Sequence, residues 1–130
     1  MAHEPKAGDT FTHERTCDRY RPLYYAGASG DFNPLHVDAE AGKKAGFGGP
    51  ILQGLCTLAW AVEAVTKELA DPGKLKKIRV RFSKPVLLED TVHFEGQITE
   101  VVDATVKGSL TAKNQRGEDV LKGVSFEAER

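Results

Sequence analysis

Residues 51–69 read Ile-Leu-Gln-Gly-Leu-Cys-Thr-Leu-Ala-Trp-Ala-Val-Glu-Ala-Val-Thr-Lys-Glu-Leu, and this stretch decides the fold. Its first half is apolar on nearly every side, which is typical of a helix enclosed by other structure. Pro50 stands just before it, and proline suits the first turn of a helix. The sequence therefore predicts a long helix over residues 51–69 at the buried centre of the domain.

Shorter elements are predicted before this helix. Residues 8–16 alternate weakly between polar and apolar side chains, and aspartates stand where helix N-caps are expected. The predicted elements are a strand over residues 8–16, a helix capped by Asp18 and ending at Gly30, a loop over residues 31–37, and a short helix capped by Asp38 and ending at Gly46.

The chain after Asp71-Pro72-Gly73 has the period of strands. Apolar residues alternate with polar ones over residues 77–82, 91–101, 105–112 and 120–128, and turn residues separate these segments. The expected fold class is α+β, with one long helix beside a mostly antiparallel sheet. A chain of 130 residues has room for one domain, residues 1–130, and one core.

Composition excludes several classes of protein. The formal net charge of -1 provides no field that attracts nucleic acid or anionic lipid. The longest apolar stretch, residues 55–62, is interrupted at Thr57 and is far shorter than the roughly 20 residues of a membrane span. The first residues contain no apolar segment of a secretion signal, so the cytoplasm is the expected location. Cys17 and Cys56 form no CxxC pair and are expected to be reduced and structural.

Residues 28–38, Ala-Ser-Gly-Asp-Phe-Asn-Pro-Leu-His-Val-Asp, carry the side chains best suited to chemistry. Pro34 favours an extended conformation at Asn33, so the loop is shaped rather than slack. Asp31 and His36 can orient one water molecule, with one group accepting its proton while the other holds or returns one. This is an acid/base pair without a nucleophile. On spacing alone, a bracing role for Asp31 and a structural role for His36 stay open.

A second candidate feature is the start of the long helix, within residues 50–57. The first backbone N–H groups of a helix have no partner inside it and carry the positive end of its dipole. Gly54 has no side chain to block a ligand, and its N–H can stabilise negative charge on a thioester oxygen. The segment predicts an oxyanion site, and helix packing is the alternative role for Gly54.

A family resemblance joins these features. Residues 25–38, Tyr-Ala-Gly-Ala-Ser-Gly-Asp-Phe-Asn-Pro-Leu-His-Val-Asp, closely resemble the hydratase 2 motif of MaoC-like (R)-specific enoyl-CoA hydratases. Residues 46–57, Gly-Phe-Gly-Gly-Pro-Ile-Leu-Gln-Gly-Leu-Cys-Thr, are similar to the hydratase 2 domain of peroxisomal multifunctional enzymes, and residues 80–86, Val-Arg-Phe-Ser-Lys-Pro-Val, continue the resemblance. It implies a hot-dog fold, in which a sheet wraps the long helix, and a homodimer with its sites near the subunit interface.

The resemblance also implies roles for single residues. Carried over by position, Asp31 and His36 are the catalytic pair, Asn33 supports them, and Gly54 donates to the thioester oxygen. The implied reaction is the reversible addition of water to a trans-2-enoyl-CoA, giving an (R)-3-hydroxyacyl-CoA. Coenzyme A is favoured over acyl carrier protein as the substrate carrier, and no metal or redox cofactor is implied.

Two positions depart from the family's pattern. Gln53 stands where relatives usually have His, a change that alters either loop support or substrate placement. Glu89 stands where a Gly commonly precedes an Asp-Thr pair, here Asp90-Thr91. This second position lies in a turn, so little effect on the site is expected.

Five residues are assigned to substrate binding: Ser29, Gln53, Trp60, Arg79 and Arg81. Trp60 lies about 9 Å beyond Gly54 along the helix and about 120° round it, so it either packs in the core or closes an acyl tunnel. Arg79 and Arg81 share one face of a strand, with Ile78, Val80 and Phe82 on the other. The two arginines either meet the phosphates of coenzyme A or an acidic carrier protein, or form a solvated outer face.

Three other functions compete with the hydratase. They are the dehydratase step of acyl-chain elongation, in a homodimer or heterodimer; a hot-dog thioesterase; and acyl-thioester binding without turnover. The intact Asp31, Asn33 and His36 argue against the thioesterase, and only Gln53 supports a binder. A calcium loop starting at Asp31 is excluded, because His36 and Gly42 occupy its sixth and twelfth positions.

Overall fold

Residues 4–130, the part of the chain that the computed structural model describes, form four α-helices, one 3-10 turn and five strands. The start of the chain, on which the targeting prediction rests, includes residues 1–3, which lie outside the described range. In chain order the elements are β1 (Thr10–Thr16), α1 (Arg21–Ser29), α2 (Pro34–Val37), α3 (Ala39–Lys44), α4 (Gly54–Leu69), the 3-10 turn (Pro72–Lys74), β2 (Leu75–Phe82), β3 (Thr91–Val102), β4 (Thr105–Lys113) and β5 (Asp119–Glu129).

The five strands form one sheet in the order β1-β3-β4-β5-β2, and neighbouring strands are antiparallel. Buried and exposed residues alternate without interruption along β4, because one face of the sheet covers the core and the other faces solvent. The four strands predicted after Gly73 are confirmed. β2 starts at Leu75, two residues before the predicted position, and an irregularity in its pairing with β5 follows that residue.

Helix α4 packs against the strands at both edges of the sheet, β1 and β2, and against β3. A sheet whose opposite edges both touch one helix must curve round that helix. The shared core joins one face of α4 to the inner face of the sheet, through Cys56, Trp60, Ala61, Ala64, Val65, Phe94, Ile98, Val106, Leu121, Val124 and Phe126. The prediction of a long helix beside an antiparallel sheet is confirmed.

The predicted start of α4 at Ile51 is wrong, since the helix begins at Gly54. Ile51 forms an isolated β-bridge with Leu87, and the N–H of Leu52 donates to the carbonyl of Val86 at 2.9 Å. Gln53 is extended and serves as the N-cap. Pairing with the segment before β3 therefore holds residues 51–52 out of the helix, and Pro50 is not in its first turn.

The prediction that α4 is enclosed on all sides is also wrong for the single chain. Leu55 is 60% exposed and Ala59 is exposed, whereas Cys56, Trp60 and Ala61 are buried. The apolar residues thus divide into a face on the sheet and a face open to solvent.

Gly30 and Asp38 cap the shorter helices as predicted, whereas three other details differ: Asp18 is not the N-cap of α1, residues 34–37 of the predicted loop form α2, and α3 ends at Lys44 rather than at Gly46. Gly30 ends α1 in the left-handed region at φ 79°, and Asp38 caps α3 by accepting from the N–H of Glu40. The N-cap of α1 is Tyr20 rather than Asp18. The Asp18 carboxylate accepts from the N–H of Tyr20 at 2.9 Å, so it shapes the turn before the helix.

Cys17 and Cys56 are free and buried, which confirms the prediction of structural thiols. Burial, followed by the effects of Cys56, Asp18 and Asp90, raises the pKa of Cys17 to about 12, and burial raises the pKa of Cys56. A protonated, buried thiol is a poor nucleophile. Among residues 4–130, none of the helices combines the length and apolarity that a membrane crossing requires.

Candidate active site

The loop between α1 and α2 is braced by its own polar side chains. The hydroxyl of Ser29 donates to the carbonyl of Tyr25 at 2.7 Å and accepts from the N–H of Asp31 at 3.1 Å. Oδ1 of Asp31 accepts from the N–H of Asn33 at 3.3 Å. One carboxylate oxygen of Asp31 therefore shapes the loop, and the other is left for chemistry.

Asn33 sets the orientation of the short helix that carries His36. Its Oδ1 accepts from the N–H of Leu35 at 3.0 Å, and its carbonyl accepts from the N–H of His36 at 2.8 Å. Pro34 occupies the first turn of α2, where its missing N–H costs nothing. Asn33 is thus the N-cap of α2. This role agrees with the support for the catalytic pair that the resemblance implies.

The ring of His36 is held in one tautomer. Its Nδ1 lies 2.8 Å from the carbonyl oxygen of Ile51. Because a carbonyl oxygen can only accept, Nδ1 carries the hydrogen, and Nε2 of the neutral ring presents a lone pair. The carbonyl of Ile51 therefore fixes which nitrogen is free to take a proton.

Nε2 of His36 faces the carboxylate of Asp31. The distance to Oδ2 is 3.8 Å, too long for a direct hydrogen bond. Two acceptors at this separation suit a water molecule that donates one hydrogen to each. The His36 side chain is 13% exposed and that of Asp31 is 45% exposed, so water can reach the pair from the Asp31 side.

The second half of the site is the N-terminus of α4. Gly54 is the first residue of the helix, so its N–H has no acceptor within α4. A β-carbon placed on Gly54 would lie 3.1 Å from the ring of Phe82. The glycine thus leaves room for an oxygen atom to approach the N–H beside that ring.

His36 and Gly54 line one groove of about 220 Å³. Its walls are largely apolar, with Phe47, Leu52, Phe82, Val86 and Val120, and its polar groups include His36, Thr57 and Lys84. A groove with this lining suits an apolar chain that carries one polar, reactive end.

The structure brings together part of the predicted set. Asp31 and Asn33 lie in the loop between α1 and α2, His36 lies in α2 with its ring facing Asp31, and Gly54 shares the groove with His36. Within the described part of the chain, the groove lining includes none of the five residues assigned to substrate binding: Ser29, Gln53, Trp60, Arg79 and Arg81. Trp60 and Gln53 are buried at 4% and 1% exposure, and the two arginines are exposed on β2.

The predicted site included only His36 and Gly54 of the groove lining, and the residues that it missed include Thr57, Phe82 and Lys84. Thr57 is buried, and its hydroxyl in an otherwise apolar helical run was a signal for a functional position. Phe82 was placed on the apolar back of β2, but it is 54% exposed and covers Gly54. No local pattern distinguishes Lys84 from the other basic residues around it.

The fold and this site together define a class of protein, in which an antiparallel sheet wraps a helix and an Asp–His pair lies beside the N-terminus of that helix. The structure aligns with an unliganded (R)-hydratase from Pseudomonas aeruginosa at a TM-score of 0.84 and 28% identity, covering 97% of this chain and 81% of that one. This confirms the hot-dog fold. Residues 2–119 match the family model described as MaoC like domain, and the chain belongs to that family.

Two curated relatives extend the comparison. The probable enoyl-CoA hydratase 2 of Dictyostelium discoideum is 39% identical over 92 residues, or 69% of this chain and 31% of that protein. The peroxisomal multifunctional enzyme type 2 of Drosophila melanogaster is 48% identical over 69 residues, or 52% of this chain and 12% of that protein. The chain therefore spans less than a third of the length of either relative.

Proposed function

We propose that the chain is a hydro-lyase that adds water reversibly to a trans-2-enoyl-CoA and forms an (R)-3-hydroxyacyl-CoA. The observation that carries this proposal is the separation of 3.8 Å between His36 Nε2 and Asp31 Oδ2, with the tautomer of His36 fixed by Ile51. Membership of the MaoC-like family and the similarity to an (R)-hydratase support both the chemistry and the stereochemistry.

The reaction follows from the two halves of the site. The thioester carbonyl binds with its oxygen at the N–H of Gly54, and the water lies between Asp31 and His36. The water oxygen attacks C3 of the enoyl group while one of its protons passes to the acid/base pair. Negative charge moves to the thioester oxygen, where the helix N-terminus stabilises it. The pair then returns the proton to C2, so water is added across the double bond with all atoms accounted for.

Coenzyme A is the proposed carrier. Lys84 lines the groove, so one positive charge lies at its wall. Arg79 and Arg81 are exposed on the same strand, which is compatible with a role in binding phosphates. A cytoplasmic location stays a prediction, since one of the relatives is named as peroxisomal.

A homodimer completes the proposal. Large apolar side chains are exposed at α1, on the loop between α1 and α2, at the start of α4 and on β2: Tyr20, Leu23, Tyr24, Phe32, Leu55 and Phe82. A surface of this kind marks a contact site. A second copy that covers it would also shield the groove from bulk water. Light scattering at assay concentration should give twice the mass of the chain, and a fully active monomer would contradict this part of the proposal.

The decisive experiment mixes the purified protein with crotonyl-CoA and follows loss of the conjugated thioester absorbance, with chiral analysis of the product. Asp31→Ala and His36→Ala should each lower kcat by about 10² to 10⁴ while the fold is retained. Asp38→Ala is the matched control, because Asp38 caps α3 and should leave kcat close to that of the wild type.

Other outcomes separate the alternatives. Release of free coenzyme A thiol would identify a thioesterase, and an (S) product would reject the assignment to the (R)-hydratases. A folded Asp31→Ala variant with near-normal turnover would reject the mechanism. The same site catalyses both hydration and dehydration. Turnover only with substrates carried on acyl carrier protein would therefore favour the dehydratase of chain elongation.

A further inference from the structure

We infer that Gln53 is a positioning residue. Through the two hydrogens of its amide nitrogen, it holds the loop that carries Asp31 against the N-terminus of α4, where Gly54 is the proposed oxyanion donor. This inference rests on the proposed function for its kinetic consequence, although its structural content is independent of the substrate. It replaces substrate binding, the role first assigned to Gln53.

The contacts of the Gln53 side chain are directed away from the groove. Its Nε2 donates to the carbonyl of Pro22 at 2.9 Å and makes a longer contact of 3.5 Å with the carbonyl of Asp31. The residue is 1% exposed, and the groove lining does not include it. One amide nitrogen therefore joins the first turn of α1 to Asp31, in the loop between α1 and α2.

The backbone around Gln53 belongs to the other half of the site. Its carbonyl accepts from the N–H groups of Cys56 and Thr57, and the next residue is Gly54. Any movement of Gln53 thus moves the proposed oxyanion donor. The side chain and backbone of one residue contact both halves of the site.

Neighbouring contacts hold the rest of the loop to the same segment. The N–H of Ile51 donates to the carbonyl of Leu35 at 2.9 Å, and the carbonyl of Ile51 accepts from Nδ1 of His36. These bonds fix the His36 end of the loop. The contact of Gln53 with Asp31 fixes the other end, so its loss would change the distance between the two catalytic groups.

The amide nitrogen matters more than the amide oxygen. Oε1 of Gln53 is buried and has no hydrogen-bond partner among the described residues. A substituent that keeps an N–H donor, such as an imidazole, can retain one of the two contacts, whereas an apolar isostere retains neither. A misplacement of about 1 Å can cost about 10²-fold in rate, so a positioning role is measurable.

The test compares Gln53→Met, Gln53→Asn and Gln53→His with a matched control, Gln115→Met. Gln115 also donates from its amide to a buried group, Asp90, at 2.8 Å, but it lies on the β4–β5 turn, which is not part of the proposed site. With crotonyl-CoA, Gln53→Met and Gln53→Asn should lower kcat about 10- to 100-fold with KM within about threefold of the wild type. Gln53→His should recover most of kcat, and Gln115→Met should lower only the melting temperature.

Amide hydrogen exchange provides a readout that needs no substrate. The backbone amide hydrogens of residues 31–36 should exchange faster in Gln53→Met and Gln53→Asn than in the wild type. Their exchange rates should be unchanged in Gln115→Met. If the wild type has no hydratase activity, the proposed function fails while this measurement still decides the role of Gln53. Unchanged protection of the loop, or a folded Gln53→Asn variant with normal kcat, would overturn the inference. A rise in KM alone would return Gln53 to substrate binding and also overturn it.

Discussion

The ring of Phe82 lies against Gly54, so that a β-carbon on the glycine would approach the ring to 3.1 Å. Phe82 is 54% exposed and belongs to β2, whereas Gly54 begins α4. Their contact closes one side of the groove at the point where the thioester oxygen is expected to bind. The smallest side chain at residue 54 is therefore a requirement of the site rather than of the core.

Gly54→Ala tests this requirement. The added methyl group competes for the space beside Phe82, and we expect kcat/KM to fall about 10- to 100-fold, since one oxyanion donor is worth about 10² to 10³. The melting temperature should change little, because the half-exposed ring can move aside. Gly27→Ala is the control, since a β-carbon there meets nothing within 4 Å. Normal kinetics in Gly54→Ala would contradict the requirement for glycine beside Phe82.

Trp60 is expected to act through stability rather than chain length. It is 4% exposed in the core, and the guanidinium of Arg15 lies 5.7 Å from the centre of its ring. Trp60→Ala should destabilise by about 3 to 5 kcal/mol and leave the preference among enoyl chain lengths unchanged. Phe82→Ala, which removes a groove wall, should change that preference with a smaller loss of stability. A shift toward longer chains in a folded Trp60→Ala variant would favour the tunnel role instead.

The bounds of the strands could be predicted from the sequence to within two residues, because burial on one face of the sheet imposes a period of two. The order of the strands in the sheet, which depends on long-range pairing, could not be predicted in this way. The start of α4 could not be predicted from the sequence. It depends on the pairing of Ile51 with Leu87, which lies far along the chain, and local apolarity gives no sign of that pairing. Propensity favoured a helix at residues 51–52, and tertiary hydrogen bonds outweighed it.

In the candidate site, too, local features could be predicted from the sequence and long-range contacts could not. The spacing of Asp31 and His36 and the family resemblance placed both on one loop, but the tautomer of His36 depends on a carbonyl fifteen residues away. The contacts of Gln53 with Pro22 and Asp31 likewise exist only in the folded chain. Residues that act through long-range contacts carry no periodic signal, so their roles could not be read from the sequence.

Glu89→Gly should stabilise the protein. Glu89 has a φ of 68°, in the left-handed region that favours glycine, and its N–H donates to the carbonyl of Cys17 at 2.6 Å. A non-glycine residue there costs roughly 1 to 2 kcal/mol, partly offset by the greater chain entropy of glycine when unfolded, so a gain of about 1 kcal/mol is expected. Thermal unfolding measures it. Glu95→Gly on β3 is the control and should destabilise, and a lower melting temperature for Glu89→Gly would contradict the conformational argument.

The buried carboxylate of Asp90 is held by four hydrogen bonds. The guanidinium of Arg116 donates two hydrogen bonds of 2.9 Å to it, Gln115 donates a third, and the N–H of Leu87 a fourth. Burial alone would raise the pKa of Asp90, but these hydrogen bonds outweigh it and hold the pKa below its ordinary value of 3.8. Removal of Arg116 leaves a buried carboxylate with fewer partners, so Arg116→Met should lower the free energy of unfolding at pH 7.

The pH dependence of that loss follows from the sign of the shift. A carboxyl group whose pKa is lowered by folding stabilises the folded state above its ordinary, unfolded pKa. The stabilisation is lost as the pH falls through the folded value, because the proton then binds both states. The difference in unfolding free energy between the wild type and Arg116→Met should therefore be full at pH 7 and shrink below pH 4, as urea titrations at several pH values can measure. Arg130→Met, which breaks an exposed ion pair with Glu4, is the control and should have little effect at any pH. A gap between the wild type and Arg116→Met that stays constant down to pH 2 would assign the loss to packing of the arginine side chain instead of to its charge.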